Sequence, residues 1–105
     1  FRYGGDGLPV NYDRKKAKYY LLEGARLNDP TSCCLLSYQY YPGGDLFEEN
    51  AEQAFIYAKK SAEAGNIYGR MRIAYLLDHG IGCQRNPREA QKYRDKYELQ
   101  KKEGK

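Results

Sequence analysis

Apolar and small residues return every three or four positions along this chain, in segments of helical length punctuated by proline and glycine. Ala54, Tyr57, Ala58, Ser61, Ala62 and Gly65 fall along one face of such a segment. Ala17, Tyr20, Leu21, Gly24, Ala25 and Asn28 repeat the arrangement earlier in the chain. Nothing alternates with the two-residue period of a strand between hairpin turns. Breaks at GGDGLP (4–9), NDP (28–30), PGGD (42–45), GN (65–66), GIG (80–82) and NP (86–87) separate the helices. Asp13, Asn50 and Asn86 stand where a side-chain oxygen caps the first turn of a helix. Gln53 and Glu89, three residues on, predict reciprocal capping boxes, and Pro87 takes the first helical position, where its missing N–H costs nothing.

The pattern repeats. Ala17, Ala54 and Ala90 each follow a cap by four residues and precede Tyr20, Tyr57 and Tyr93 by three, at spacings of 37 and 36 residues. A second kind of helix precedes these. Residues 31–41 and 67–79 align at the same offset of 37, pairing Ser32 with Gly69, Leu36 with Ile73, Ser37 with Ala74, Tyr40 with Leu77 and Gly43 with Gly80. Small residues at 32, 37, 69 and 74 predict close helix approach, with Leu36 and Ile73 filling the space between. Gly5, Gly43, Gly80 and Gly82 turn the loops, and a glycine after each first helix suits the left-handed conformation that ends it. Helix–loop–helix units of this kind cannot bury their apolar face alone and need neighbours.

These residues resemble the Sel-one-like repeat, a relative of the tetratricopeptide repeat. In GRMRIAYLLDHGIGC the matching positions are Gly69, Ile73, Ala74, Leu77, Gly80, Gly82 and Cys83. In NAEQAFIYAKKSAEAG they are Asn50, Gln53, Ala54, Tyr57, Lys60, Ser61, Ala62, Glu63 and Gly65. The opening Gly5, Gly7 and Leu8 look like the tail of an earlier first helix. Two departures stand out: Asp45 replaces the second loop glycine of PGGDL, and Tyr97 and Glu98 stand where two small residues belong. The expected fold is all-α, a right-handed α/α solenoid of about two and a half helix-pair repeats. A leading half repeat (1–28), a full repeat (29–65) and a last repeat with a polar capping helix (66–105) make up a single domain. Opening inside a motif, the chain reads as a fragment of a longer one. Its Phe1–Leu8 face would pair with further repeats, another copy or a different chain. The resemblance implies an adaptor that binds other proteins, not an enzyme, and no cofactor.

Charge and chemistry change this picture little. The net charge is +4. From Gln84 to Lys105 there are 8 Lys and Arg against 4 Asp and Glu, and the first 83 residues are balanced. A solvated terminal helix accounts for the surplus. The alternative is a helical-repeat RNA-binding module using that basic C-terminal helix, but the groove residues are hardly basic. No apolar run is long enough to span a membrane. Three cysteines do not close a disulfide framework. Reduced thiols in a cytosol-like compartment are the first reading, and a bridge from Cys83 to Cys33 or Cys34 in an exported protein is the other. Cys33, Cys34, Cys83 and His79 lack the spacing of a zinc set. His79, the lone histidine, reads as a solvated residue at a helix C-terminus. The glycine stretches lack a phosphate-loop pattern.

The outward positions of the first helices remain. In stacked repeats these helices line the concave surface. Cys34, Tyr38 and Tyr41 lie there in one unit, and Met71, Tyr75 and Asp78 in the next, with Arg72 at the edge. Tyr, Met and Arg are the types that anchor interfaces. Tyr38, Tyr41, Met71, Arg72, Tyr75 and Asp78 are the expected contacts for a protein or peptide partner, unless Tyr38 and Tyr75 simply stack on each other.

Overall fold

A computed structural model of the chain describes residues 14–43 and 47–104. The expectations placed on Gly5, Asp13, Asp45 and the Phe1–Leu8 face lie outside these residues. Among the described residues there are five α-helices and no strand: α1 (Arg14–Arg26), α2 (Pro30–Tyr38), α3 (Ala51–Glu63), α4 (Ile67–His79) and α5 (Pro87–Gly104). Each helix packs on its successor, and α2 also meets α4, so that first helices stand beside first helices. This is the layout of an α/α solenoid.

Side-chain caps start four of the helices. Asn50 accepts from the Gln53 N–H at 3.1 Å and Asn86 from the Glu89 N–H at 3.1 Å, as expected. Asp29 accepts from the Ser32 N–H at 2.9 Å, and Asn66, one repeat later, from the Gly69 N–H at 2.9 Å. The reciprocal half of the capping boxes does not form in the expected way. The backbone N–H groups of Asn50 and Asn86 are already donated to Tyr40 O (2.7 Å), in the turn after α2, and to Leu77 O (2.8 Å), in α4. Glu89 therefore accepts from the Asn86 side-chain amide instead, at 3.3 Å.

The helix ends differ between repeats. α4 closes on Gly80 in the left-handed conformation (φ 67°, ψ 37°). α2 stops at Tyr38, a turn short of the expected Tyr41, and passes into a wide turn, Gln39–Gly43, in which Tyr41 is extended (φ −150°, ψ 122°). Pro42 is the reason: its ring disfavours helical backbone at the residue before it.

Two buried clusters, one per repeat, hold the stack. Leu36 packs with Ala25, Cys33 and Phe47, and Ile73 packs with Ala58, Ala62, Ala74, Leu76, Leu77 and Ala90. Burying each of the four large aliphatic side chains, Leu36, Ile73, Leu76 and Leu77, contributes roughly 1.5–3 kcal/mol. Phe47, from the loop before α3, was not anticipated; its ring lies 4.7 Å from that of Tyr40, which also stacks on Tyr57 at 5.9 Å. Cys34, expected on the outer side of α2, is buried. Ser61 of α3 and Arg72 of α4 lie beside it. Tyr20, expected on the inner face of α1, is 65% exposed.

Small residues set the helix spacing as expected. A Cβ on Gly69 would lie 2.7 Å from Ser61 Cβ, and a Cβ on Gly24 would lie 2.7 Å from Ser32 Cβ. The two contacts are equivalent across repeats, with glycine and serine exchanged.

The last helix is fastened back to the array. Gln100 donates from Nε2 to Gly65 O at 2.7 Å and accepts from Arg70 Nη1 at 2.6 Å. Two bonds of this kind contribute about 1–3 kcal/mol together. In Gln100→Ala, amide hydrogen exchange measured by NMR should therefore quicken about tenfold or more in residues 97–104, while residues 87–93 keep their protection.

Candidate partner-binding site

On α4 the residues Tyr68, Met71 and Tyr75 form a stripe at helical spacing, and none of them packs into the core; Tyr68 is 67% and Tyr75 49% exposed. Opposite stands Tyr38 of α2. The turn that replaces the last part of α2 brings Tyr41 and Pro42 to the same place. With Arg72 these side chains line a hollow of about 530 Å³ between the two first helices. Its walls are tyrosine rings, a thioether and a proline ring; Arg72 alone among the lining residues is ionic.

Arg72 frames the hollow from within. It is only 5% exposed, because its side chain leaves α4 and reaches across to the end of α2. Nε donates to Ser37 Oγ at 2.9 Å, and Nη2 donates to Ser37 O at 3.1 Å and to Tyr41 O. The guanidinium lies over the Tyr38 ring, 4.1 Å from its centroid. Ser37 Oγ passes the connection on, donating to Ala54 O of α3 at 2.8 Å. One arginine thus ties three helices and holds the Tyr41 turn in place. Burial pushes its pKa down, opposed by Tyr38 and then by Cys34, Tyr75 and Tyr41. Burial also pushes the Cys34 thiol up, and the Arg72 charge works against that shift.

The structure brings together Tyr38, Tyr41, Met71, Arg72 and Tyr75. It leaves out Asp78, whose carboxylate accepts from Arg94 Nη1 of α5 at 2.7 Å. Arg72 is a buried strut and not an edge residue. Tyr38 and Tyr75 do not stack on each other: Tyr38 meets the Arg72 guanidinium, and Tyr75 meets the His79 ring edge-on at 4.4 Å. Two lining residues were missed. Tyr68 sits three before Met71 and seven before Tyr75, a spacing readable in the sequence, and Pro42 adjoins Tyr41.

The Sel1 repeat pattern matches residues 1–29, 30–66 and 67–93. The chain belongs to the Sel1 repeat family. It is also similar to the chitin synthase regulator SKT5 of Saccharomyces cerevisiae, with 30% identity over 88 residues. Those residues cover 83% of this chain and 13% of that relative, so the chain spans a small part of its length. Sel1 repeats generally mediate protein–protein interaction. In Sel1 terms, α2 and α4 are the first helices of the 30–66 and 67–93 repeats, and the hollow lies where these two repeats meet. α5 continues beyond the last matched residue.

Elsewhere on the Sel1 array, α5 carries a second hollow of about 210 Å³, lined by Asn86, Arg88, Glu89, Lys92, Tyr93 and Lys96. Cys33, Cys34 and Cys83 are free thiols, and among the described residues no three His, Cys, Asp or Glu side chains gather as metal ligands would. No helix among the described residues is long and apolar enough to cross a membrane.

Proposed function

We propose that this chain is a non-catalytic scaffold that holds a protein or peptide partner in the hollow between α2 and α4. The observation that carries this reading is the exposed stripe Tyr68–Met71–Tyr75 facing Tyr38 across an almost uncharged hollow. Exposed aromatic and Met side chains gathered in one concavity are costly to leave in water and are the types that anchor protein interfaces. Membership of a family that mediates protein contact supports the reading, as does a relative described as a regulator of an enzyme. RNA is the less favoured partner. The basic hollow on α5 presents a single, half-buried ring, Tyr93, whereas helical-repeat RNA readers stack bases on exposed aromatic side chains.

The test is capture of partners by the chain and by a Tyr68→Ala/Tyr75→Ala variant, followed by affinity measurement on the purified pair. Both rings are exposed, so the variant should keep its helical circular dichroism. Loss of two anchoring rings should weaken binding about 30-fold or more. Undiminished binding by the folded variant sinks the hollow reading. Capture of nucleic acid alone, abolished by moderate salt, replaces it with the RNA reading.

A further inference from the structure

Arg72 does more than its structural bonds require. Its three hydrogen-bond acceptors, Ser37 Oγ, Ser37 O and Tyr41 O, are all neutral, and among the described residues it forms no ion pair. Its second terminal nitrogen, Nη1, makes none of these bonds. Nor is that nitrogen sealed away: the buried side-chain polar atoms left without a partner, among the described residues, are Gln39 Oε1 and Arg70 Nε. Arg72 is itself a lining residue of the hollow. The nearest carboxylate along the α4 stripe, Asp78, is held by Arg94. A guanidinium that is 5% exposed therefore borders the hollow with no counter-charge among the described residues.

Resting on the reading of the hollow as the partner site, we infer that its occupant is an internal peptide segment presenting an Asp or Glu side chain between apolar residues, with the carboxylate meeting Arg72. A cation walled by rings and a thioether sits in a low local dielectric, where an unpaired charge is costly and a matching one is strongly favoured. Charge-assisted bonds from a guanidinium to a carboxylate are roughly twice as strong as neutral ones. Among the described residues no acid takes this position, and we assign it to the partner. The hollow exceeds what one acidic side chain fills and lies in the range of pockets that enclose several groups. The remaining surface, formed by Met71, Pro42 and the tyrosines, calls for apolar or proline residues on either side of the acid. A phosphate ester or nucleic-acid backbone fits less well, because it calls for several cations and the hollow offers one.

The experiment is a selection of short random peptides, displayed with blocked termini, on the wild-type chain, followed by fluorescence anisotropy with synthetic versions. Selected peptides should carry one Asp or Glu flanked by apolar residues. Changing that acid to Asn or Gln should weaken binding about tenfold or more, and the same peptides should bind Tyr75→Ala less well. In Arg72→Gln, checked for folding by circular dichroism, the acidic peptide and its amide should bind alike. If that variant does not fold, Arg72→Lys serves, and the preference for the acid over its amide should shrink.

The failures are distinguishable. Peptides lost on Tyr75→Ala but indifferent to acid-to-amide exchange overturn the carboxylate inference and leave the hollow reading intact. Peptides that depend on a free C-terminal carboxylate in an unblocked library, and not on a side chain, also overturn it. So does a dimer seen by sedimentation that Tyr75→Ala abolishes, since the occupant is then a second copy. A selection that returns no hollow-dependent peptide overturns both readings.

Discussion

Gly82→Ala should lower the melting temperature by about 10–25 °C. Gly82 has φ 73°, and a Cβ there would lie 2.6 Å from the Ala51 carbonyl carbon and 3.1 Å from Glu52 N. Two separate costs follow. A left-handed backbone costs a residue with a Cβ about 1–2 kcal/mol. Driving a methyl into the first turn of α3 costs about 1–3 kcal/mol more, and backbone cannot swing aside as a long side chain can. The unfolded chain returns only about 0.4–1 kcal/mol through its reduced freedom. The net loss, about 2–4 kcal/mol, is a large part of the roughly 5–15 kcal/mol that holds a domain of this size. Each kcal/mol corresponds to about 4–8 °C. Gly65→Ala is the control that separates the two costs: φ is 93°, but a Cβ there meets nothing within 4 Å. It should lose about 4–8 °C only. Circular-dichroism melts of the two variants decide the point. Equal losses would mean that the close approach of the 80–83 loop to α3 is not what Gly82 secures.

That approach is where the sequence says least about its own folding. The glycine at 82 is legible as a turn; that it is pressed against the N-terminus of α3, two helices back, is not. The same division runs through the fold. Helix existence and order follow from local marks: Asn50, Asn86, Pro87 and Gly80 each act on their own backbone within one turn, so a linear reading finds them. Asp29 and Asn66 were equally local and equally readable. The capping boxes failed for a non-local reason, since Tyr40 O and Leu77 O had taken the N–H groups that the boxes need.

The hollow follows a similar rule. Its stripe on α4 is periodic and was partly read. Its floor is not, because Arg72 aligns with Leu35, which is exposed, while Arg72 is buried. Equivalent positions share a backbone direction but not a reach. A guanidinium at the end of a long flexible stem can cross to the carbonyls of the neighbouring repeat, and no offset of 37 encodes that. Asp78 shows the converse: periodicity continues the stripe to it, and Arg94 of α5 draws its carboxylate away.

The exchange of glycine and serine between repeats leads to the second large effect. Gly69→Ser should cost about 2–3 kcal/mol, and adding Ser61→Gly should recover at least about 1 kcal/mol of it. In the native chain Ser61 is fully buried, with its hydroxyl donated to Pro30 O at 2.8 Å. A Cβ at position 69 would meet Ser61 Cβ at 2.7 Å and Ala62 N at 2.9 Å, so α3 and α4 must part. Higher helix propensity at 69 offsets only about half a kcal/mol. Ser61→Gly alone loses the bond to Pro30, about 1 kcal/mol, and some helix propensity. If the changes acted independently, the double variant would be the least stable of the three. It recreates instead the arrangement that the previous repeat already uses. There, glycine at 24 faces serine at 32, and the Ser32 hydroxyl donates to the cap Asp29 at 2.8 Å. A serine at 69 would find Asn66 in the same relation. Denaturant unfolding of both single variants and the double gives the coupling directly, with favourable values of about 1–3 kcal/mol expected for side chains in contact. Additive losses would mean that each repeat sets its helix spacing by itself. Rescue would mean that one small side chain per contact, on either helix, is what the repeat requires.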